Sequence, residues 1–132
     1  IYQVHMYEPF VFTHQGVMPG YGKVAYPDEA KGWNRAFLEK RLAPVRAFQK
    51  KHNARIYVGE FSAAAWAPGA ERYLADAISL FNEYGWDWTY HAFREWPGWS
   101  VEHEGGGPAD MKPSADTPRK RVLLQGLKGI EK

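Results

Sequence analysis

Cysteine is absent from the 132-residue chain. That excludes disulfides and thiolate-held metals, and it leaves the compartment open, because many secreted bacterial enzymes also lack cysteine. No apolar run is long enough to span a bilayer. Excess charge is missing as well: 17 Lys and Arg against 15 Asp and Glu give a net charge of +2, too small to argue for nucleic acid or an anionic membrane as a partner. The basic run Arg119-Lys120-Arg121 reads as a solvated helix end. Internal repeats and low-complexity segments are lacking beyond the units described below. No signal peptide is legible, and the chain opens directly on Ile1-Tyr2-Gln3-Val4, a strand pattern, so further sequence is expected upstream.

Aromatic residues, by contrast, make up 16% of the chain, with 6 Trp, 8 Tyr and 7 Phe. A Trp-rich core would explain the number. Yet Trp66, Trp96 and Trp99 sit beside polar residues in loops, where indole planes stack on the apolar C–H faces of sugars. A composition of 45% hydrophobic and 24% charged residues is that of a globular chain, long enough for one domain with one core.

The pattern alternates strand and helix. Residues 2–7 alternate and are β-prone, ending at Glu8-Pro9. A long Gly- and Pro-punctuated loop over 10–32 is too aromatic for disorder and reads as functional. Phe37, Leu38, Leu42, Val45 and Phe48 then recur at helical spacing over 33–52, with Asn34 as a cap and Pro44 as a kink or break. The run 55–61 suits a strand covered on both faces. Tyr73, Leu74, Ala77, Ile78 and Phe81 form one stripe of a helix over 68–84, closed by Gly85. A third strand over 86–93, a polar Gly- and Pro-rich stretch over 94–117, and a helix from Pro118 with Val122, Leu123, Leu127 and Ile130 apolar complete the order βαβαβα. Such alternation argues for an α/β fold with a parallel sheet and right-handed crossovers.

In these folds the chemistry gathers at the C-terminal ends of strands. Those ends carry His5 and Tyr7, then Glu60, then His91 with Arg94 and Trp96 beyond. Glu60 follows Ile56-Tyr57-Val58-Gly59, so its carboxylate emerges where a buried strand opens into the site. A carboxylate shielded from water but held ionised by hydrogen bonds can act as a nucleophile.

The stretches Val4-His5-Met6-Tyr7, Ile56-Tyr57-Val58-Gly59-Glu60-Phe61 and Trp86-Asp87-Trp88-Thr89-Tyr90-His91-Ala92-Phe93-Arg94, in that order with helices between, resemble the sixth, seventh and eighth strands of glycoside hydrolase family 5, which includes many cellulases. The resemblance runs over essentially the whole chain. It implies that residues 1–132 are the C-terminal part, the last three βα units, of a (β/α)8 TIM-barrel catalytic domain. It further implies retaining hydrolysis of a β-linked glucan or similar glycan, with no cofactor and no metal, by an extracellular or periplasmic parent enzyme. On this resemblance Glu60 matches the nucleophile that forms the glycosyl-enzyme intermediate. Tyr7 matches the phenol bonded to that carboxylate, and His5 the histidine that supports the catalytic pair. His91 stands where many members have a stacking tryptophan, so stacking falls to Trp96 or Trp99, or His91 bonds a hydroxyl. Trp66 and His14 are further candidates for lining the cleft.

The family's acid/base glutamate belongs to an Asn-Glu-Pro motif on a strand absent here. Asn82-Glu83-Tyr84 resembles it superficially but falls at a helix end before Gly85 and is rejected. Double displacement therefore needs a second carboxyl group from elsewhere, and the isolated chain is expected to be inactive. Half a barrel should also self-associate through unpaired edges and an exposed apolar face.

Three other readings compete. A non-catalytic carbohydrate-binding α/β domain would use the same aromatic residues. A metal centre would draw on His5, His14, His91 and His103, which lack any tight ligand spacing. A flavodoxin-like domain would need a phosphate-binding turn directly after the first strand, where none stands. His14 and Gln15 read most simply as surface loop, and Glu102 and Glu104 as solvated. The identity of the glycan and endo or exo action are not legible.

Overall fold

Each expected strand and helix forms. In the computed structural model, residues 1–129 are described; Ile130, assigned above to the apolar face of the last helix, lies outside the described residues. Strand β1 (Tyr2–Met6) and strand β2 (Ile56–Phe61) pair in parallel, and β3 (Asp87–Trp88) pairs in parallel on the other side of β2, giving the order β1-β2-β3. Helix α2 (Arg35–His52) connects the first two strands and α3 (Ala70–Tyr84) the second two. The loop after β1 holds a short helix, α1 (Phe10–Thr13), and a 3-10 turn at Glu29–Lys31.

Helix α2 begins where Asn34 accepts a hydrogen bond from the Phe37 amide, as its side chain suggests. It runs unbroken through Pro44. Pro44 and Lys40, whose carbonyl the proline leaves without an amide partner, both face solvent, where water takes the place of the lost bond. The α3 stripe is buried as read: Tyr73, Leu74, Ala77, Ile78 and Phe81 pack on Ile56, Val58 and Phe61 of β2. Gly85 ends that helix at φ 68°, a conformation costly for any residue with a Cβ. Trp86 and Trp88 enter the same core, their indole N–H groups donating to Gln49 at 2.6 Å and Asn82 at 2.9 Å.

The last third departs from expectation. The third strand keeps a regular ladder only over two residues, although Thr89 and His91 still donate backbone bonds to Val58 and Phe61. The polar stretch contains an antiparallel pair, β4 (His103–Glu104) with β5 (Lys112–Pro113). Helix α4 (Pro118–Lys128) packs on α3, capped by Thr117, whose hydroxyl accepts from the Lys120 amide. Val122 and Leu123 face the core, but Leu127 is exposed.

Arg119 corrects the reading of its basic run as solvated. It is 4% exposed. Its guanidinium donates to the carbonyls of Ser100 (2.7 Å), His103 (2.8 Å) and Trp99 (3.3 Å) and reaches the Tyr90 hydroxyl at 3.4 Å. A guanidinium carries five donors in a fixed fork, so one side chain closes several turns of an irregular segment. Glu102 is not simply solvated either: Arg94 (2.7 Å) and Lys120 (2.9 Å) grip it, and their hydrogen bonds, Lys120 foremost, hold its carboxyl below the usual range. No described helix is long and apolar enough to cross a membrane.

Candidate active site

The site grows from the way β1 meets β2. Gln3, His5 and Tyr7 alternate onto one face of β1, while Val4 and Met6 turn to the helices. On β2, alternation alone would send Glu60 to the same side as Ile56 and Val58, into the core. The register prevents this. Val4 pairs with Val58 and His5 with Glu60, which leaves Gly59 as an extra, unpaired residue. One inserted residue reverses the parity of everything after it. Glu60 thereby joins His5 and Tyr7 on the open face, and Phe61 returns to the core opposite Met6. A Cβ at the bulge would run into the end of the Gln3 side chain, so glycine here leaves that side chain its place.

The Tyr7 hydroxyl donates to Glu60 Oε2 at 2.9 Å, and His5 Nδ1 stands 3.6 Å from the same oxygen. Gln3 Nε2 lies 2.9 Å from the other ring nitrogen of His5. Burial pushes the Tyr7 phenol well up, and the bond to Glu60 adds to that, so the phenol stays protonated as a donor. The expectation of a shielded carboxylate needs correction. The Glu60 side chain is 36% exposed, because three strands wall only one side of it.

Beyond Tyr7 the aromatic residues run outward in a chain of edge contacts. The His14 ring meets Tyr7 at 5.0 Å between centroids and Trp99 at 5.1 Å; Trp99 meets Trp96 at 5.3 Å, and Trp96 meets Trp66 at 5.7 Å. His14 is therefore no free surface residue. Phe10 stacks on it at 3.8 Å and the Thr13 hydroxyl lies 2.9 Å from its Nδ1. Burial, with nearby His91, lowers its pKa and favours the neutral ring. Gln15 is fully buried, its side-chain amide bonded to Phe12 and to Val24, and its backbone carbonyl accepts the Trp66 indole N–H at 2.8 Å. Trp66 thus anchors the β1 loop to the loop after β2. His91 faces Glu95 at 3.3 Å, with Trp99 at 6.4 Å.

Glu60, His5 and Tyr7 come together, His14 adjoins Tyr7, Trp99, Trp96 and Trp66 continue the wall from His14, and His91 stands at its side. Reading the sequence missed Gln3, although its alternation with His5 and Tyr7 marks its face. It also missed Glu95, which lies in a loop with no periodic signal. Asn82 and Glu83 serve structure: Asn82 joins Trp88 to the Gly126 carbonyl, and Glu83 pairs with Arg35 at 2.7 Å. Among the described residues no three His, Asp or Glu side chains converge as metal ligands.

The open face carries Gln3, His5, Tyr57 and Thr89. The Tyr57 and Thr89 hydroxyls are 2.8 Å apart, and Thr89 donates to the Gly59 carbonyl at 2.8 Å. It is polar, contrary to the apolar face expected of an opened barrel, because its side chains satisfy one another rather than filling a greasy layer.

Comparison with known proteins agrees with this architecture. No protein-family model matches the chain. Endoglucanase C of Acetivibrio thermocellus is 30% identical over 113 residues, taking in 64% of this chain and 33% of the relative; an endoglucanase of a Clostridium species matches equally. The chain spans about a third of the length of the curated relatives it matches. Among solved structures, a hyperthermophilic endo-β-1,4-glucanase in complex with substrate superposes with a TM-score of 0.74 at 24% identity, over 93% of this chain and 38% of that one. The endoglucanase of hyperthermophilic Thermotoga maritima gives 0.67 at 26% identity, over 95% and 38%. The chain therefore has the fold of part of an endoglucanase barrel, and its relatives are endoglucanases.

Proposed function

We propose that this chain is the C-terminal portion, strands six to eight, of the catalytic barrel of a retaining β-glycoside hydrolase of family 5 type, acting on a β-linked glucan, with Glu60 as nucleophile. The observation that carries the proposal is the Tyr7–Glu60 bond at the C-terminal end of the central parallel strand, with His5 on the same oxygen. An oriented carboxylate on an open, aromatic-walled face suits attack on an anomeric carbon. The reaction also needs a proton donor for the leaving oxygen, with the two carboxyl groups about 5–5.5 Å apart. In this proposal the donor comes from the part of the barrel outside these residues. His14, His91, Trp66, Trp96 and Trp99 line the sugar's approach. Glucan polymers are too large to enter a cell, which favours an extracellular or periplasmic parent enzyme.

The test has two arms. The isolated chain should release no reducing sugar from soluble β-glucan; hydrolysis that disappears in Glu60→Gln would refute the division of the carboxylates. In the longer protein that contains this sequence, a 2-deoxy-2-fluoro glucoside inactivator should add its mass to the peptide bearing Glu60, and a label on another residue would overturn the assignment. The Trp-rich wall also favours a second reading, glycan binding without turnover, which affinity of the full-length protein combined with failure to label would support.

Strands β1 and β3 are the edges of the described sheet; Tyr2 on β1 is 54% exposed and Ile1 just before it 82%. Unpaired edges of this kind recruit other strands. The isolated chain should therefore self-associate; a monodisperse monomer in sedimentation at high concentration would contradict this.

A further inference from the structure

The pair Gln3 and Gly59 has no part in the function proposed so far, yet both touch the catalytic cluster. The Gln3 side chain lies across the space where a residue at 59 would put its Cβ, so the bulge that turns Glu60 outward also opens the berth that Gln3 occupies. From there its amide nitrogen is 2.9 Å from His5 Nε2. On the far side of the ring, His5 Nδ1 faces Glu60 Oε2 at 3.6 Å, and that oxygen already accepts the Tyr7 hydroxyl.

A neutral imidazole carries one proton, on one nitrogen or the other. A bare Nδ1 lone pair set against a carboxylate oxygen is repulsive, so Glu60 favours the proton on Nδ1. Nε2 is then an acceptor, and the group beside it must donate. The Gln3 amide N–H fits that requirement, and the two ends of the ring agree only when the amide nitrogen, not its oxygen, faces the ring.

We propose that Gln3 is a positioning residue: seated over Gly59, its amide donates to His5 Nε2 and fixes His5 as the Nδ1–H tautomer aimed at Glu60. The role rests on the reading of Glu60 as the nucleophile. Gln3 touches no reacting atom. It acts through His5, so that the carboxylate is met by one imidazole N–H and one phenol, and both ring nitrogens of His5 are engaged.

The experiment is a proton–nitrogen correlation NMR spectrum of the 132-residue chain labelled with 15N-histidine, recorded about 1.5 pH units above the ordinary histidine pKa. A His5→Asn variant identifies the His5 signals. The wild type should show His5 with a protonated Nδ1 and a pyridine-like Nε2 in about fivefold excess, the bias that one ordinary hydrogen bond supplies. Gln3→Met keeps the length of the side chain and its contact with Gly59 but removes the donor. It should shift His5 toward Nε2–H while the signals of His14, His91 and His103 stay in place. Gly59→Ala should do the same from the neighbouring strand by displacing Gln3, and it serves if the methionine variant does not fold. A wild-type His5 found as Nε2–H, or a His5 tautomer unmoved in the variants, overturns the proposal. The spectrum involves no sugar and no turnover. A Glu60 that takes no label beside a Gln3-dependent tautomer sinks the nucleophile reading, while the converse result sinks only this one.

Discussion

Replacing Arg119 by methionine tests how the Trp-bearing segment is held against the site. The methionine keeps most of the apolar stem and removes every donor. Of the four oxygens the guanidinium meets, the Trp99 carbonyl keeps a bond from the Tyr90 hydroxyl at 2.6 Å, and Tyr90 keeps the Ser62 hydroxyl at 3.0 Å. The carbonyls of Ser100 and His103 lose the two shortest bonds, 2.7 and 2.8 Å. An acceptor left unsatisfied in a buried setting costs about 1–3 kcal/mol, and relief from holding a desolvated cation offsets part of the sum. The net loss should be about 2–3 kcal/mol, a large share of the roughly 5–15 kcal/mol that stabilises an ordinary domain. At about 4 °C per kcal/mol for this length, the midpoint should fall by roughly 8–12 °C. Thermal and urea unfolding measure it, with an unchanged urea slope showing that the native state stays compact. Amide exchange over residues 96–103 should quicken before the rest. Arg119→Lys should recover less than half the loss, because a single ammonium does not span both carbonyls as the fork does. A methionine variant melting within about 2 °C of the wild type would show that the guanidinium is dispensable and the reasoning wrong.

Two other outcomes follow from the same geometry. Tyr7→Phe removes a charge-assisted bond to a partly exposed Glu60, so the kcat/KM of the proposed hydrolysis, assayed in the longer protein, should drop on the order of ten- to a hundredfold with stability little changed; full retention of activity would remove Tyr7 from the proposed mechanism. Burial raises the phenols of Tyr26 and Tyr73 above their unfolded value, Tyr26 further by its bond to Asp76. Their contribution is complete below about pH 10 and lost as pH climbs toward the folded values, so urea stability should decline above about pH 10 by up to roughly 1.4 kcal/mol per pH unit for each phenol. Tyr26→Phe should make that decline shallower, and a flat profile between about pH 10 and 11 would contradict the assignment.

The amino-acid order by itself determined every element that rests on neighbours in sequence. The α3 stripe, the Asn34 cap, the Gly85 stop and the apolar run of β2 are local patterns, and each formed where the spacing put it. Pro44 misled because a proline's effect depends on which side of the helix loses the bond, and that side is set by packing. Glu60 shows the limit most sharply. Its own strand's alternation buries it with Ile56 and Val58, and only the pairing of β1 with β2, which skips Gly59, delivers it to a phenol 53 residues away. Arg119 and Gln15 were legible as polar residues but not as buried ones, since the carbonyls they serve belong to turns whose shape no periodicity encodes. Sequence carries the faces of elements; register between distant strands and the closing of irregular loops come only from the folded chain, where backbone groups shut away from water must find partners wherever the fold brings them.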